Sequence, residues 1–249
     1  LSTKFKFSRR SSRILPRLCL MRLLIVFLEE ALPSQLDPST ANILGTNKAE
    51  VVYRATIRLL LTQLSGLERC HLRFCYRPAD AHDAIRFWLL SEIIDHPGIH
   101  LDIEAIDFKP QSDGDLGSRI SRAAENAFCE GYQQVALIGP NCIEISSRWI
   151  HATFAQLNKN YEAVTGEGHG GGCYLLAMRE YLPSLCRQVT WTGSSGKTSI
   201  LRQASCESYS LYQLPNLCII ETCADYQSTL SGLMGSKFKS AIEDILESA

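Results

Sequence analysis

Between residues 20 and 180 apolar runs and helix-spaced apolar positions take turns along the chain. The plainest run is Val135 to Ile138, which stops at Gly139-Pro140. A short unbroken apolar run between breakers predicts a strand buried on both faces, because helices covering a parallel sheet leave it no wet side. Arg22 to Leu28 predicts a second such strand, with a Pro-, Ser- and Asp-rich loop from Pro33 to Gly45 after it. Val52, Ala55, Leu59 and Leu60 fall at helical spacing between Asn47, a candidate cap, and Leu64. Alternation over Cys70–Tyr76 and Ile99–Ile106 predicts two more strands, and Ala79–Ile94 a helix between them. Ile120, Ala123, Ala124, Ala127 and Phe128 mark one face of a helix that ends near Gly131 and is capped by Asp115.

Beyond Asn141, Ser146 or Ser147 caps a predicted helix carrying Trp149, Ile150, Thr153, Phe154 and Leu157. A short strand over Tyr161–Thr165, a glycine-rich turn from Gly166 to Gly172 and an apolar stretch Cys173–Met178 follow. The tail predicts a helix near Ser199–Ala204, a strand Leu217–Ile220, and a last helix whose face holds Phe238, Ile242, Ile245 and Leu246. Alternating strands and helices imply an α/β fold, a three-layer sandwich around a mostly parallel sheet. Ligands of such sheets sit beyond the carboxyl ends of the strands, so Pro140, Asn141 and Cys142 fall where chemistry is expected.

Composition narrows the class. The chain has 249 residues, 45% hydrophobic and 20% charged, ordinary for a globular protein, and no apolar run is long enough to span a bilayer. One domain is expected over residues 21–249. Residues 1–20 hold six bases and no acid, so the rest sums to −7 against −1 for the whole chain. An acidic body argues against nucleic acid as a partner. The leader is expected to be a disordered basic extension, with a targeting segment as the alternative. The 10 cysteines lack any C-x-x-C pair and suit reduced, buried thiols in a cytoplasmic protein; Cys70/Cys75 and Cys218/Cys223 fall inside expected strands.

Four stretches in register carry a resemblance: Gln111 to Gly114-Asp115-Leu116-Gly117-x-Arg119; Val135 to Gly139-x-x-Cys142; Gly166 to Gly171-Gly172-x-Tyr174-Leu175-Leu176; and Val189-Thr190-Trp191. Over about residues 21–230 the chain resembles the small bacterial glycosyltransferase-A-like family labelled selenodomain-associated transferase, relatives of the nucleotide-diphospho-sugar transferases. The resemblance implies an α/β sandwich of GT-A type that holds a nucleoside diphosphate sugar, with a divalent cation (Mg or Mn), and passes the sugar to an acceptor. It also implies the site. Asp115 and Asn141 would act at the reaction centre, and Asp113 with Asp115 would hold the metal. Gln111, Gly114, Arg119, Gly171, Gly172, Tyr174 and Trp191 would hold substrate.

The chain departs from the family at its charged positions. Lys-Thr-Arg of the first loop is here Asp37-Pro38-Ser39, and Asp-Cys-Pro after the central strand is Asn141-Cys142-Ile143. Asp-Gly-Gly-Tyr of the glycine turn is Gly170-Gly171-Gly172-Cys173, and a late acidic pair is Ile219 and Glu221. A neutral carbonyl in place of a carboxylate holds a hard cation less well. Each lost charge-assisted phosphate bond removes about 1.5–3 kcal/mol. Two readings therefore stand, an active transferase and a non-catalytic nucleotide-sugar-binding or interaction module, with a diverged nucleotidyltransferase as a third.

Several residues admit a bland reading beside the chemical one. Asp115 caps a helix or binds metal, and Asp113 is a solvated turn residue or its partner. Arg119 meets phosphate or solvent. Trp191 stacks on a ligand or packs in the core. Cys142 is a nucleophile or a packed thiol, and His169 with Cys173 a ligand pair or an incidental one. Gly193 to Thr198 has two residues, not the four of a P-loop, between its glycines, and reads instead as a helix start.

Overall fold

The computed structural model describes residues 21–29, 46–191 and 196–248. The basic leader, the first-loop positions Asp37, Pro38 and Ser39, and the turn residues Gly193 to Ser195 lie outside the described residues.

In chain order the elements are β1 (Arg22–Glu29), α1 (Thr46–Gln63), β2 (His71–Arg77), α2 (His82–Asp95), β3 (Ile106–Pro110), α3 (Leu116–Cys129), β4 (Gln134–Ile138) and α4 (Ser147–Asn158). Then come β5 (Ala163–Glu167), β6 (Cys173–Met178), α5 (Pro183–Arg187), α6 (Gly196–Cys206), β7 (Leu211–Gln213), α7 (Cys223–Ser231) and α8 (Gly235–Ser248). One seven-stranded sheet runs β3-β2-β1-β4-β6-β5-β7, so β4 is its middle strand. Only β6 runs against its neighbours β4 and β5; the other pairings are parallel. The expected three-layer, mostly parallel sandwich is what forms.

β1 shows why. Its Leu24, Val26 and Leu28 enter one core with Ile57, Leu60 and Leu64 of α1 and Ile85 and Leu89 of α2. Its Leu23, Ile25 and Phe27 enter the other with Ile120, Ala124 and Ala127 of α3 and Leu185 of α5. Alternate side chains of a strand point to opposite faces, so helices on both sides bury every position between the ends. α1 has a second apolar edge: Val52, Ala55 and Leu59 pack on Phe238, Ala241 and Ile245 of α8.

Several boundaries differ from the sequence expectation. The strand foreseen over Ile99–Ile106 starts only at Ile106, because Asp102 accepts the Glu104 N–H and winds Ile103–Ala105 into a 3-10 turn. Asn47 is inside α1, not before it. Ser146 takes the cap position of α4 without a side-chain hydrogen bond. β5 is displaced two residues from Tyr161–Thr165 and carries Gly166 and Glu167, so the glycine turn is shorter than expected. Leu217 makes one isolated bridge to Gly168, and the edge strand is instead β7. Cys218 thus lies outside any strand, and Cys223 opens α7. α7 was not foreseen; Thr222 and Asp225 start it with a reciprocal capping box. On α8, Leu246 is 57% exposed and its place in the packed face goes to Ala241.

Among the described residues no helix is long and apolar enough to cross a membrane. The cysteines at 70, 75, 142 and 186 are free and buried.

Candidate functional site

The chain builds β1, β2 and β3 outward in one direction and then returns to place β4 on the other side of β1. The strand order therefore diverges between β1 and β4, and a crevice opens at their carboxyl ends, the usual ligand position of open α/β sheets. A cavity of about 690 Å³ occupies it. Its floor is Phe27 and Leu28 at the end of β1 and Leu137 to Asn141 at the end of β4, and Tyr53, Thr56, Arg119, Tyr174, Trp191 and Glu221 stand around it. Its size is that of a small-molecule site.

Gln111 is the keystone of the wall toward β2. It follows β3, and its own N–H donates to Tyr76 O at 2.8 Å, extending the ladder one residue. Its Nε2 donates to Leu28 O at 2.8 Å and to Cys75 O at 2.9 Å, tying the ends of β1 and β2. Its Oε1 accepts from Arg119 Nη1. The amide is thus used up holding the scaffold and aiming a guanidinium along the cavity wall. Gln111 was expected to hold substrate; here its visible work is on Arg119.

Asp115 is the N-cap of α3, its Oδ1 accepting the Ser118 N–H at 2.7 Å. That backbone hydrogen bond, helped by the Ser118 side chain, holds its carboxyl below the ordinary carboxylate range. Asp113, Gly114 and Asp115 are exposed and lie off the cavity lining, as do Gly171 and Gly172. Of the expected site residues, the fold brings Gln111, Arg119, Asn141, Tyr174 and Trp191 together on the cavity.

Trp191 lines the cavity with its Nε1–H spent on Cys186 O at 2.9 Å. Gly117 makes this packing feasible: a Cβ there would stand 2.8 Å from Cys186 O and 3.4 Å from Trp191 Nε1. Gly117→Ala is accordingly expected to cost about 1–3 kcal/mol and to push α3 off α5. Denaturant unfolding followed by tryptophan fluorescence reads both effects; an unshifted midpoint and spectrum would contradict the close contact.

Tyr174 is 2% exposed, its ring filling the space beside Gly166 and its hydroxyl donating to Pro215 O at 2.8 Å. Burial pushes its phenol well above the ordinary value. It shapes the cavity wall. Cys142 is 1% exposed and packed in the core cluster that holds Ile138 and Ile145, and burial pushes its thiol up to about 12. Cys173 touches the cavity, but burial pushes it up to about 12 as well, and its Sγ meets Leu175 O at 3.1 Å.

Glu221 was noticed in the sequence only as a remnant of an acidic pair, yet it lines the cavity. The reason is Gly172, whose φ of 72° and missing Cβ leave room for the Glu221 carboxylate; a Cβ would stand 2.7 Å from its Oε1. Tyr53 and Thr56 of α1 were not foreseen either. Their part follows from where α1 crosses the sheet, which one helix's periodicity does not reveal.

The described residues do not fit a divalent cation. Glu221 is the single carboxylate on the described lining, Asp115 is committed to its cap, and among the described residues no three His, Cys, Asp or Glu side chains converge. A hard cation wants several oxygen ligands, carboxylates among them.

Residues 60–193 match the family described as uncharacterized protein conserved in bacteria (DUF2064). No curated protein matches the chain. Among solved structures, a protein provisionally named a nucleotide-diphospho-sugar transferase from Desulfovibrio desulfuricans G20 is similar with a TM-score of 0.70 and 21% identity, over 90% of this chain and 97% of its own. A 4-diphosphocytidyl-2C-methyl-D-erythritolsynthase from Anaerococcus prevotii DSM 20548 is similar at 0.53 and 13%, over 85% of this chain and 95% of its own. At such identities the likeness is one of fold. The chain belongs to the bacterial DUF2064 family and has the fold of the nucleotide-diphospho-sugar transferases.

Proposed function

We propose that the crevice binds a nucleotide and that the chain works as a nucleotide-binding module in which metal-assisted sugar transfer has lapsed. The observation that carries the reading is the cavity at the β1/β4 divergence with Arg119 held over it by Gln111. A guanidinium in a fork geometry suits a phosphate oxygen. Apolar and aromatic walls suit a base. This binding needs no metal: Asp113 and Asp115 stand away from the crevice, and Asn141 brings a neutral carbonyl to it.

An active transferase taking a nucleotide-sugar donor is the second reading. One observation favours it: Glu221 lies against Gly172 on the crevice, where a carboxylate could meet a sugar hydroxyl.

Thermal unfolding of the purified chain with nucleoside phosphates and nucleotide sugars, each with and without Mg or Mn, tests both. A ligand at a hundred times its dissociation constant adds about 2.7 kcal/mol and raises the midpoint by a few degrees. Metal-independent shifts are expected. Shifts that need metal and a nucleotide sugar would favour the transferase, and no shift with any nucleotide would sink the nucleotide pocket.

A further inference from the structure

Among the described residues six large apolar side chains stand exposed, and three of them gather at one edge of the sheet. Phe87 and Ile94 are 76% and 65% exposed, and at two helical turns' separation on α2 they share one stripe. Ile103, in the turn that leads into β3, is 43% exposed. α2 turns Ile85, Leu89 and Ile93 toward the sheet, and Trp88 and Glu92 toward Tyr53 and Arg58 of α1. Phe87, Leu90 and Ile94 therefore lie on the side away from α1, toward the edge strand β3.

Among the described residues no strand pairs with the outer side of β3. The opposite edge strand, β7, is three residues long, whereas β3 offers five. A very short edge discourages pairing with another chain, and a longer one invites it. Gln111 N–H donates to Tyr76 O, so in this parallel ladder Lys109 and Asp107 also turn their backbone groups toward β2. Phe108 then turns its N–H and C=O outward. The Asp107 and Lys109 side chains share the other face of the strand and remain 45% and 43% exposed, although they are bonded to Arg73 and Glu130. This order of acid, ring and base is self-complementary. With an antiparallel copy of β3 alongside and Phe108 opposite Phe108, each Asp107 faces Lys109 of the other copy, and the two Phe108 residues exchange both backbone hydrogen bonds.

We infer that β3 and the outer stripe of α2 form the contact surface for a second copy of this chain, in a two-fold dimer whose sheet continues through β3 of both copies. The axis crosses the sheet at Phe108 and sets the two α2 helices side by side on one face, where Phe87, Leu90 and Ile94 of each copy cover those of the other. On the opposite face the paired Asp107 and Lys109 carry the charge network around Arg73 across the seam.

Sedimentation of the full chain between about 1 and 100 μM should show the mass of two chains, dissociating on dilution. Phe87→Glu combined with Ile94→Glu should weaken association at least about a hundredfold and leave the circular dichroism of the chain unchanged, since both side chains are exposed in the single copy. Lys109→Glu should weaken it at least about tenfold, because two acids then face each other in each cross-strand pair. Hydrogen exchange of the parent chain reads the strand pairing without any variant: the Phe108 amide should be protected where the dimer is populated and exchange freely on dilution. A chain that stays monomeric over this range overturns the inference. A dimer that survives the Phe87 and Ile94 substitutions puts the contact on another surface, and one indifferent to Lys109→Glu overturns the strand register. A Phe108 amide protected at every dilution would mean that another segment of the same chain covers the edge, which also overturns the inference.

Discussion

Asp107→Ala combined with Glu130→Ala is expected to destabilise the fold by about 3–5 kcal/mol, since it strips a buried cation of both its counter-charges. The cation is Arg73 in the middle of β2, with 3% of its side chain exposed. Its Nε and Nη2 donate to the two carboxylate oxygens of Asp107 at 2.7 Å each, and Nη2 also donates to Glu130 Oε2 at 2.8 Å. Lys109 donates to the other oxygen of Glu130, and the Arg73 guanidinium lies 5.6 Å over the Tyr132 ring. Burial alone would lower the Arg73 pKa, but the hydrogen bonds and charges of both acids more than offset it and the net direction is up. Without them the guanidinium stays desolvated and uncompensated. Adding Arg73→Met to the double variant should recover much of the loss, because an apolar side chain of similar length needs no partner there. Urea denaturation measures both; a double variant within about 1 kcal/mol of the parent would mean that water reaches Arg73 freely.

The same network sets a pH dependence. For Glu130 burial works upward, but the hydrogen bonds from Lys109 and Arg73 and their charges outweigh it and leave the pKa lowered. A lowered folded-state pKa gives stability that is present above the unfolded value, about 4.3 for Glu, and is lost as pH falls through the folded value. The parent chain should therefore lose stability more steeply below about pH 4 than the triple variant.

Arg73 also marks where sequence reading stops. In His71 to Tyr76 the polar positions alternate with apolar ones, which normally signals one wet face. Both faces are in fact covered, and Arg73 and Cys75 are buried on the α3 side. The partners that make this tolerable, Asp107 and Glu130, are 34 and 57 residues away. A window along the chain does not join them. The central strand Val135–Ile138 was legible for the opposite reason: a buried apolar run between breakers needs no distant partner to be recognised. The cap at Asp115 was legible too, because a cap is a contact three residues long. The site was half legible. Strand ends and motif order pointed to Gln111, Arg119, Asn141, Tyr174 and Trp191, all on the crevice. The same motifs also pointed to Asp113 and Asp115, which lie outside it, Asp115 bonded as the cap of α3. Tyr53, Thr56 and the place of Glu221 on the crevice come from how α1 and the segment before α7 cross the sheet ends. That crossing is a tertiary fact.

Gln111→Leu is expected to lower stability by roughly 2–5 kcal/mol and to weaken nucleotide binding with it, the first effect following from the carbonyls it abandons. Leu28 O and Cys75 O sit at the ends of β1 and β2, in residues 1% and 3% exposed, and both accept from Gln111 Nε2. An unsatisfied buried acceptor costs about 1–3 kcal/mol, and a leucine of similar bulk leaves two. Arg119 at the same time loses the Oε1 that aims it, so a phosphate has to order the guanidinium itself. Gln111→Glu separates the two roles. It keeps the acceptor toward Arg119 and strengthens it by charge, but it cannot donate to the carbonyls and puts a negative oxygen against them. Stability should therefore fall as with leucine. Affinity for an anion should fall at least tenfold, because the new carboxylate neutralises the cation that the phosphate would meet. Denaturation and titration together read the outcome. A Gln111→Glu chain as stable as the parent would show that the strand-end carbonyls find donors elsewhere. One that binds a nucleoside phosphate as tightly as the parent would move the phosphate away from Arg119.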